Sequence, residues 1–482
     1  MNSTDTSISP ENSQEMTRPQ EADLHFDTPE GRKNFWSTII SIWLGTTMEY
    51  VDFALYGLAA GLVFGDVFFP EQTPILALLS SFATWAVGFI ARPIGAIILG
   101  KVGDMYGRKF VLVITVSLMG LATTGIGLIP SYSSIGFWAP LLLVFLRICQ
   151  GFGAGAELSG GAVMLAESAP TKHRGLVASL IGVGSNSGTL LASILWLLVL
   201  RMPKEDVIAW GWRIPFLCSI LVAILALVLR RTMKESPVFQ AFQKAKAEKI
   251  TALEKESATT KKPSDSSVAT DMSTSTAQTE KNSGWKAFII MLGLRIGENG
   301  PSYMAQGFLI GYVAKALSVD KSVPTTAVLI ASILGFAVIP LSGWLSDRFG
   351  RRPLYRVYCL LLVLYGFPAF ALLESRDPLI VGAVIVVGMC LASLGIFGVQ
   401  AAYGVELFGV AHRYSKMAVA KELGSILSGG TAPMVASALL AATGSWIPLA
   451  LYFVVTAGIG LVTTFFAPET RGRDLSLLED AI

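Results

Sequence analysis

Apolar residues run through this chain in long, nearly continuous stretches, broken by short polar or charged segments. About twelve of these stretches reach the ~20 residues that a helix needs to cross ~30 Å of hydrocarbon. In the first half they cover 36–63, 75–99, 110–130, 138–168, 174–200 and 212–231. In the second they cover 286–315, 323–346, 353–373, 378–406, 414–442 and 446–467. They are far too long for barrel strands, and a lipid-facing span must satisfy its own backbone polar groups. The pattern therefore predicts an all-α membrane protein with twelve transmembrane helices.

The polar breaks carry a repeat. Gly100-Lys101-Val102-Gly103-Asp104-Met105-Tyr106-Gly107-Arg108-Lys109 lies between spans two and three. A second version, from Gly343 through Asp347, Gly350 and Arg351 to Arg352, lies between spans eight and nine. Glu167 is followed seven residues on by Arg174, and Glu406 seven residues on by Arg413. Matched motifs at equivalent places predict two pseudo-symmetric six-helix halves, 35–231 and 286–468. The segment 232–285 is rich in Lys, Glu, Ser and Thr and reads as a linker on the cytoplasmic side, flexible over 257–283. Residues 1–34 lack the basic start and apolar core of a signal peptide and read as a disordered cytoplasmic tail, with 469–482 as a second tail. Paired six-span halves suggest a transporter whose site lies between them near the midplane.

Composition agrees with lipid as the solvent. The chain is 52% hydrophobic and 15% charged, against about 25% charged in soluble domains. The net charge of +3 decides little; the placement of the basic residues decides more. The 100–109 and 348–352 loops, Lys172 with Arg174, and Arg413 with Lys416 share one side, whereas loops 65–74, 131–137 and 443–445 have no Lys or Arg. The basic side is expected to be cytoplasmic, with both termini inside a plasma (inner) membrane. One opposite loop, with Arg201, Lys204 and Arg213, runs against the trend but carries Glu205 and Asp206.

Several chemistries are excluded. The four cysteines are scattered in apolar runs and form no metal or disulfide pattern. Gly95-x-x-x-x-Gly100-Lys101 echoes a phosphate loop, but Val102 stands where Ser or Thr is required and no strand precedes it. Gly151-x-Gly153-x-x-Ala156 lies inside a span, where glycines serve helix packing. No cofactor, no metal, no enzymatic activity and no nucleic-acid partner is expected.

The candidate chemistry is in the spans. A charge at the bilayer centre costs ~2.5–3.5 kcal/mol on insertion scales, so each needs a reason. Glu49 and Asp52 are three apart on one helical face. Two neighbouring carboxylates in low dielectric do not both ionise easily, which is the chemistry of a proton-coupling site. Arg92 and Arg147 can grip a substrate carboxylate or pair with Glu49 or Asp52. Arg295 and Glu298, three apart, begin a polar stripe continued by Asn299, Tyr303 and Gln306, and Gly300-Pro301 loosens the helix there. Lys421 with Glu422 reads either as a cavity cation and its counter-ion or as a lysine snorkelling toward the cytoplasm.

These residues together resemble the major facilitator superfamily, whose loop motif is G-x-x-x-D-x-x-G-R-[KR]. Five further segments resemble its metabolite:proton symporter family. They are Gly45 to Gly57 around Glu49 and Asp52; Arg92-Pro93-Ile94-Gly95; Arg147-x-x-Gln150-Gly151-x-Gly153-x-Gly155-x-Glu157; Trp210 to Phe216; and Glu406-Leu407-Phe408 with Arg413-Tyr414-Ser415. The resemblance spans residues 36–470. It implies a proton-coupled importer of shikimate, a di- or tricarboxylate, or proline or betaine, working by alternating access, and it adds Gln150 and Glu157 to the candidate site. Osmosensing betaine carriers have a coiled-coil tail, and no heptads follow Arg471 here. An apparent excess of cations favours an anion; a zwitterion carrier is the alternative, and a non-transporting receptor a remote one. The expected partners are a small organic solute, protons and the lipid bilayer, with the monomer as the working unit. Gly100, Asp104, Gly107, Arg108, Asp347, Gly350, Arg351, Glu167, Arg174, Glu406 and Arg413 are expected to form a cytoplasmic gate that holds in one state and breaks in another.

Overall fold

The structure is a computed structural model. It describes residues 29–106, 108–155, 157–232, 268–409, 413–475, 477 and 479–482. Among these residues all secondary structure is helical. Spans one to six are Pro29–Leu62, Pro74–Tyr106, Arg108–Leu128, Trp138–Ala154 with Glu157–Glu167, Arg174–Val199, and Arg213–Thr232. Spans seven to twelve are Val268–Tyr303 and the turns after it, Ser322–Phe349, Arg351–Leu373, Pro378–Met389 with Phe397–Leu407, Arg413–Gly424 with Ala432–Thr443, and Ile447–Phe466. Among the described residues seven helices are long and apolar enough to cross a bilayer by length and hydropathy alone, and Val113–Leu128 and Trp138–Ala154 are apolar but shorter.

The linker expected to be flexible over 257–283 differs in its second part: span seven begins as helix at Val268. Between Pro263 and Gly284 there is neither proline nor glycine, so nothing in the local sequence breaks the helix. The earlier part of that segment, and the first 28 residues, lie outside the described residues.

The molecule is apolar on its outside. Leu121, Phe145, Leu198, Leu221, Leu364 and Val462 are large, exposed and spread around the bundle, an arrangement that only a hydrocarbon solvent favours. The buried set instead includes Glu49, Asp52, Arg92, Arg147, Arg295, Glu298, Lys421 and Glu422. Polar groups therefore point inward and apolar ones outward.

The two halves meet along span five against span eight, span two against span eleven, and span one against span seven. Three of the central helices widen into π turns where they line the interior: Met304–Phe308 and Tyr312–Ala316 in span seven, Cys390–Ile396 in span ten, and Ser425–Gly430 in span eleven. In span seven the widening follows Pro301, which lacks the N–H that would close the preceding turn.

Spans two and four touch backbone to backbone. A Cβ on Gly151 would lie 1.9 Å from the Gly88 carbonyl oxygen, and one on Gly155 would lie 2.0 Å from that of Arg92. This contact fixes where Arg92 and Arg147 sit, because each arginine is within a turn of a touching glycine. Gly151→Val is expected to lower stability by about 1–3 kcal/mol or more, through overpacking against a backbone that cannot yield. Thermal unfolding in detergent measures it. Gly458→Ala, where an added Cβ meets nothing within 4 Å, is expected to unfold like the native chain.

Candidate functional site

Two small adjoining cavities, each with about 20 Å³ of water-accessible volume, lie between the halves. Tyr50, Thr189, Tyr303 and Gln306 border both, so they form one space. One end is aromatic: Phe53, Trp85 and Tyr303 line it, with the Trp85 and Tyr303 rings 5.5 Å apart. The other end is polar, lined by Ser185 and Asn186 of span five, Glu298, Asn299 and Ser302 of span seven, and Ser393 of span ten. The lining pairs an apolar wall with a hydrogen-bonding edge, and each cavity has room for about one water.

The intramembrane charges form two clusters around it. In the first, Arg92 Nη2 donates to Glu49 Oε1 at 2.8 Å, and Arg92 Nε lies 3.0 Å from Glu422 Oε2. The Arg92 guanidinium also lies over the Phe53 ring at 4.8 Å. Arg147 is close by and fully buried. It donates to Gln150, whose Nε2 donates to Thr123 Oγ1 at 2.7 Å. Its guanidinium stacks over Tyr56 at 4.2 Å and Phe53 at 5.3 Å, and it lies within the field of Asp52. Among the described residues its Nε and Nη2 have no hydrogen-bond partner.

In the second cluster Arg295 Nη1 donates to Glu298 Oε2 at 2.6 Å and to Gln400 Oε1 at 2.9 Å. Ser302 Oγ donates to Glu298 Oε1 at 3.2 Å, and Asn299 is hydrogen-bonded to Ser425 at 2.8 Å. Lys421 is 4% exposed, so it does not snorkel to a membrane surface. Glu422 is not its counter-ion either. Consecutive residues on a helix do not face each other, and Glu422 turns to Arg92. No described carboxylate is in ion-pair contact with Lys421. With Glu422 counted, the four buried cations (Arg92, Arg147, Arg295, Lys421) face four buried acids (Glu49, Asp52, Glu298, Glu422), so the expected excess of cations is absent.

The face carrying the basic loops is closed by contacts between the halves. Arg174 Nη1 lies 3.3 Å from Glu406 Oε1, and Arg413 Nη1 lies 3.0 Å from Glu167 Oε1. The two Glu–Arg repeats therefore pair crosswise. Asp347 accepts from the backbone N–H groups of Gly175 and Leu176 at 2.7 and 2.9 Å, at the start of span five. A carboxylate there meets the unpaired donors and the positive end of the helix. Gly343 is glycine because a Cβ there would lie 2.6 Å from the Gly175 carbonyl. Gly350 is glycine because the turn needs φ of +100°. Arg351 holds Asp347 at 2.8 Å and Glu406 at 3.0 Å. Gly107 and the side chains of Gly100, Asp104, Arg108 and Glu157, expected in the gate or the site, lie outside the described residues.

The described residues of 469–482, expected as a cytoplasmic tail, pack across this face. Arg473 donates to the Glu406 carbonyl, and its own carbonyl accepts from Arg174 at 2.7 Å. Thr470 Oγ1 donates to Glu406 Oε2 at 2.8 Å, and Gly409 N–H donates to Asp480 at 2.8 Å. On the opposite face, Lys321 Nζ donates to the Leu62 carbonyl at 2.8 Å, and Lys315 lies 3.8 Å from Asp66. Both faces are thus shut around the cavity. The reading from sequence missed Asn186, Ser393, Gln400 and the Arg92–Glu422 contact. Polar residues in spans five and ten were the available signal for the first three.

A family profile described as "Sugar (and other) transporter" matches residues 38–481. The chain is 41% identical to YdfJ of Escherichia coli (strain K12) over 89% of its own length and 96% of that protein. It is 34% identical to the shikimate transporter of the same strain, covering 94% of this chain and 98% of that one. It is also 34% identical to the proline/betaine transporter of Salmonella typhimurium, covering 90% and 83%. Its fold is like that of XylE, a proton:xylose symporter of the major facilitator superfamily solved with 6-bromo-6-deoxy-D-glucose. The TM-score is 0.72 at 18% identity, over 93% of this chain and 98% of XylE. The match over almost the whole chain places this protein in the sugar (and other) transporter family.

Proposed function

We propose that the protein is a proton-coupled symporter that imports a small organic carboxylate across a plasma (inner) membrane by alternating access, with the basic-loop face and both termini in the cytoplasm. The observation that carries the choice of an anion is the pair of buried cations, Arg147 and Lys421, neither of which is in ion-pair contact with a described carboxylate. A buried cation left this way favours an anion arriving in the cavity. Glu49 and Asp52, on the helix that lines the aromatic end, are the proton-exchanging pair, and Tyr303 with Gln306 borders the solute. The gate is the basic-loop face, where the cross-half contacts must part for solute to leave toward the cytoplasm.

A zwitterion is the second reading. The aromatic end, with Trp85, Tyr50 and Tyr303, supports it, because aromatic faces attract quaternary ammonium groups.

Uptake into proteoliposomes under an imposed inward proton gradient decides between them. Labelled shikimate, citrate and 2-oxoglutarate form the acid panel, with glycine betaine and proline beside them. Accumulation of at least one acid that collapses with the gradient is expected; accumulation of betaine or proline and of no acid would replace the first reading by the second.

Asp52→Asn is expected to abolish gradient-driven accumulation, and unchanged accumulation would remove Asp52 from the coupling role. Asp347→Asn removes the charge that caps span five. It is expected to change the transport rate at least about tenfold, the scale of a lost ~1.4 kcal/mol in a two-state gate, with solute affinity changed far less. A loss in affinity matching the loss in rate would put Asp347 in the solute site.

A further inference from the structure

Arg92 has one charge and two carboxylates. Glu49 of span one, in its own half, is 2.8 Å from Nη2; Glu422 of span eleven, in the other half, is 3.0 Å from Nε. All three side chains are buried. The contact is not part of the basic-loop face. Glu422 is nine residues beyond Arg413, roughly 13 Å deeper along the helix. It therefore lies between the closed face and the cavity, where spans two and eleven cross.

We infer that Glu422 is the positioning residue of an inner latch, in which Arg92 ties proton release at Glu49 to the parting of the two halves. The inference rests on the symport reading above and names how proton and gate are linked.

The charges give the direction. While the halves are closed, Glu422 neutralises Arg92, so Glu49 is free to carry a proton. When the halves part on this face, Glu422 leaves with span eleven. Arg92 then remains in a low-dielectric interior with Glu49 as its nearest acid, and the ionised form of Glu49 is favoured. The proton departs toward the side that has just opened. By linkage, a proton on Glu49 favours the closed arrangement, because Arg92 then depends on Glu422 alone. Other groups electrostatically coupled to Glu49 include Lys421, Tyr50 and Tyr303, with Asp52 one turn along its own helix. Lys421 is next to Glu422 in the chain and moves with it; withdrawing that cation from Glu49 acts in the opposite sense, so the direction rests on Arg92 staying beside Glu49.

Glu422→Gln removes the charge and keeps the shape. Three measurements on the full chain in proteoliposomes or nanodiscs test it. The first is the distance between spin labels on cysteines placed at Lys172 and Phe349, exposed positions in opposite halves on the basic-loop face, in a background without the four native cysteines. The second is gradient-driven accumulation of the acid transported by the unsubstituted protein. The third is counterflow of the same acid with no proton gradient.

The expected result is a shift of the label distance toward longer values, loss of the pH dependence of that distance, accumulation reduced at least about tenfold, and counterflow retained. Glu422→Asp, which restores the charge on a shorter arm, is expected to recover part of the closed population. An unchanged distance distribution with unchanged accumulation would overturn the latch. Loss of counterflow together with accumulation would instead assign Glu422 to the solute site and overturn it as well. If Glu422→Gln does not fold, the unsubstituted protein decides: a label distance that does not change with pH overturns the proposal. If the unsubstituted protein accumulates no acid, the symport reading fails, while the label distances still report whether Glu422 holds the halves together.

Discussion

A charge in hydrocarbon must be answered by another charge, and the interior of this protein is organised by that demand. Around the cavity four cations and four acids are buried among the described residues; Arg92 and Arg295 sit in ion pairs, whereas Arg147 and Lys421 are in ion-pair contact with no described carboxylate. The cost of leaving any of them alone is several kcal/mol. That cost makes the arrangement discontinuous: a pair is either made or broken, and intermediate separations are unfavourable. Packing alone would let the halves slide. Buried charges give them a small number of allowed positions, and alternating access needs such positions.

The glycines serve the charges. Gly88 and Gly151 bring spans two and four together, so that Arg92 and Arg147 are set side by side against the same Phe53 ring. Like charges are tolerated at such range because each has its own compensation: two carboxylates for Arg92, and aromatic faces with Gln150 for Arg147. Gly175 and Gly343 do the same for the basic-loop face, where only a bare backbone lets Asp347 reach the first turn of span five. The motif that recurs at 100–109 and 343–352 is thus a contact device at the second site, with its glycine, aspartate and arginine each used.

Much of this was legible in the sequence. Twelve apolar runs set the spans, and the rarity of charge within them marked Glu49, Asp52, Arg92, Arg147, Arg295, Glu298 and Lys421 as residues requiring partners. Which partner each one takes was not legible. Glu422 was read with Lys421 because they are neighbours in the chain, yet the helix turns them to different faces and hands Glu422 to Arg92. The crossing of Glu167 to Arg413 and of Arg174 to Glu406 is equally invisible in one sequence, since each contact joins residues far apart in the chain. Asn186 and Gln400 were overlooked for another reason: uncharged amides cost less to bury, so they stand out less from the apolar background.

The strip of chain that follows span twelve divides its attachments unequally. Tyr403, Glu406, Gly409, Arg351 and Lys416, all of the second half, hold it through hydrogen bonds or an ion pair. The Arg473 carbonyl accepts a hydrogen bond from Arg174 of the first half. By its hydrogen bonds and ion pair among the described residues, the strip is therefore a fixture of the second half that braces one end of that half alone, and the two halves are unlike at this face.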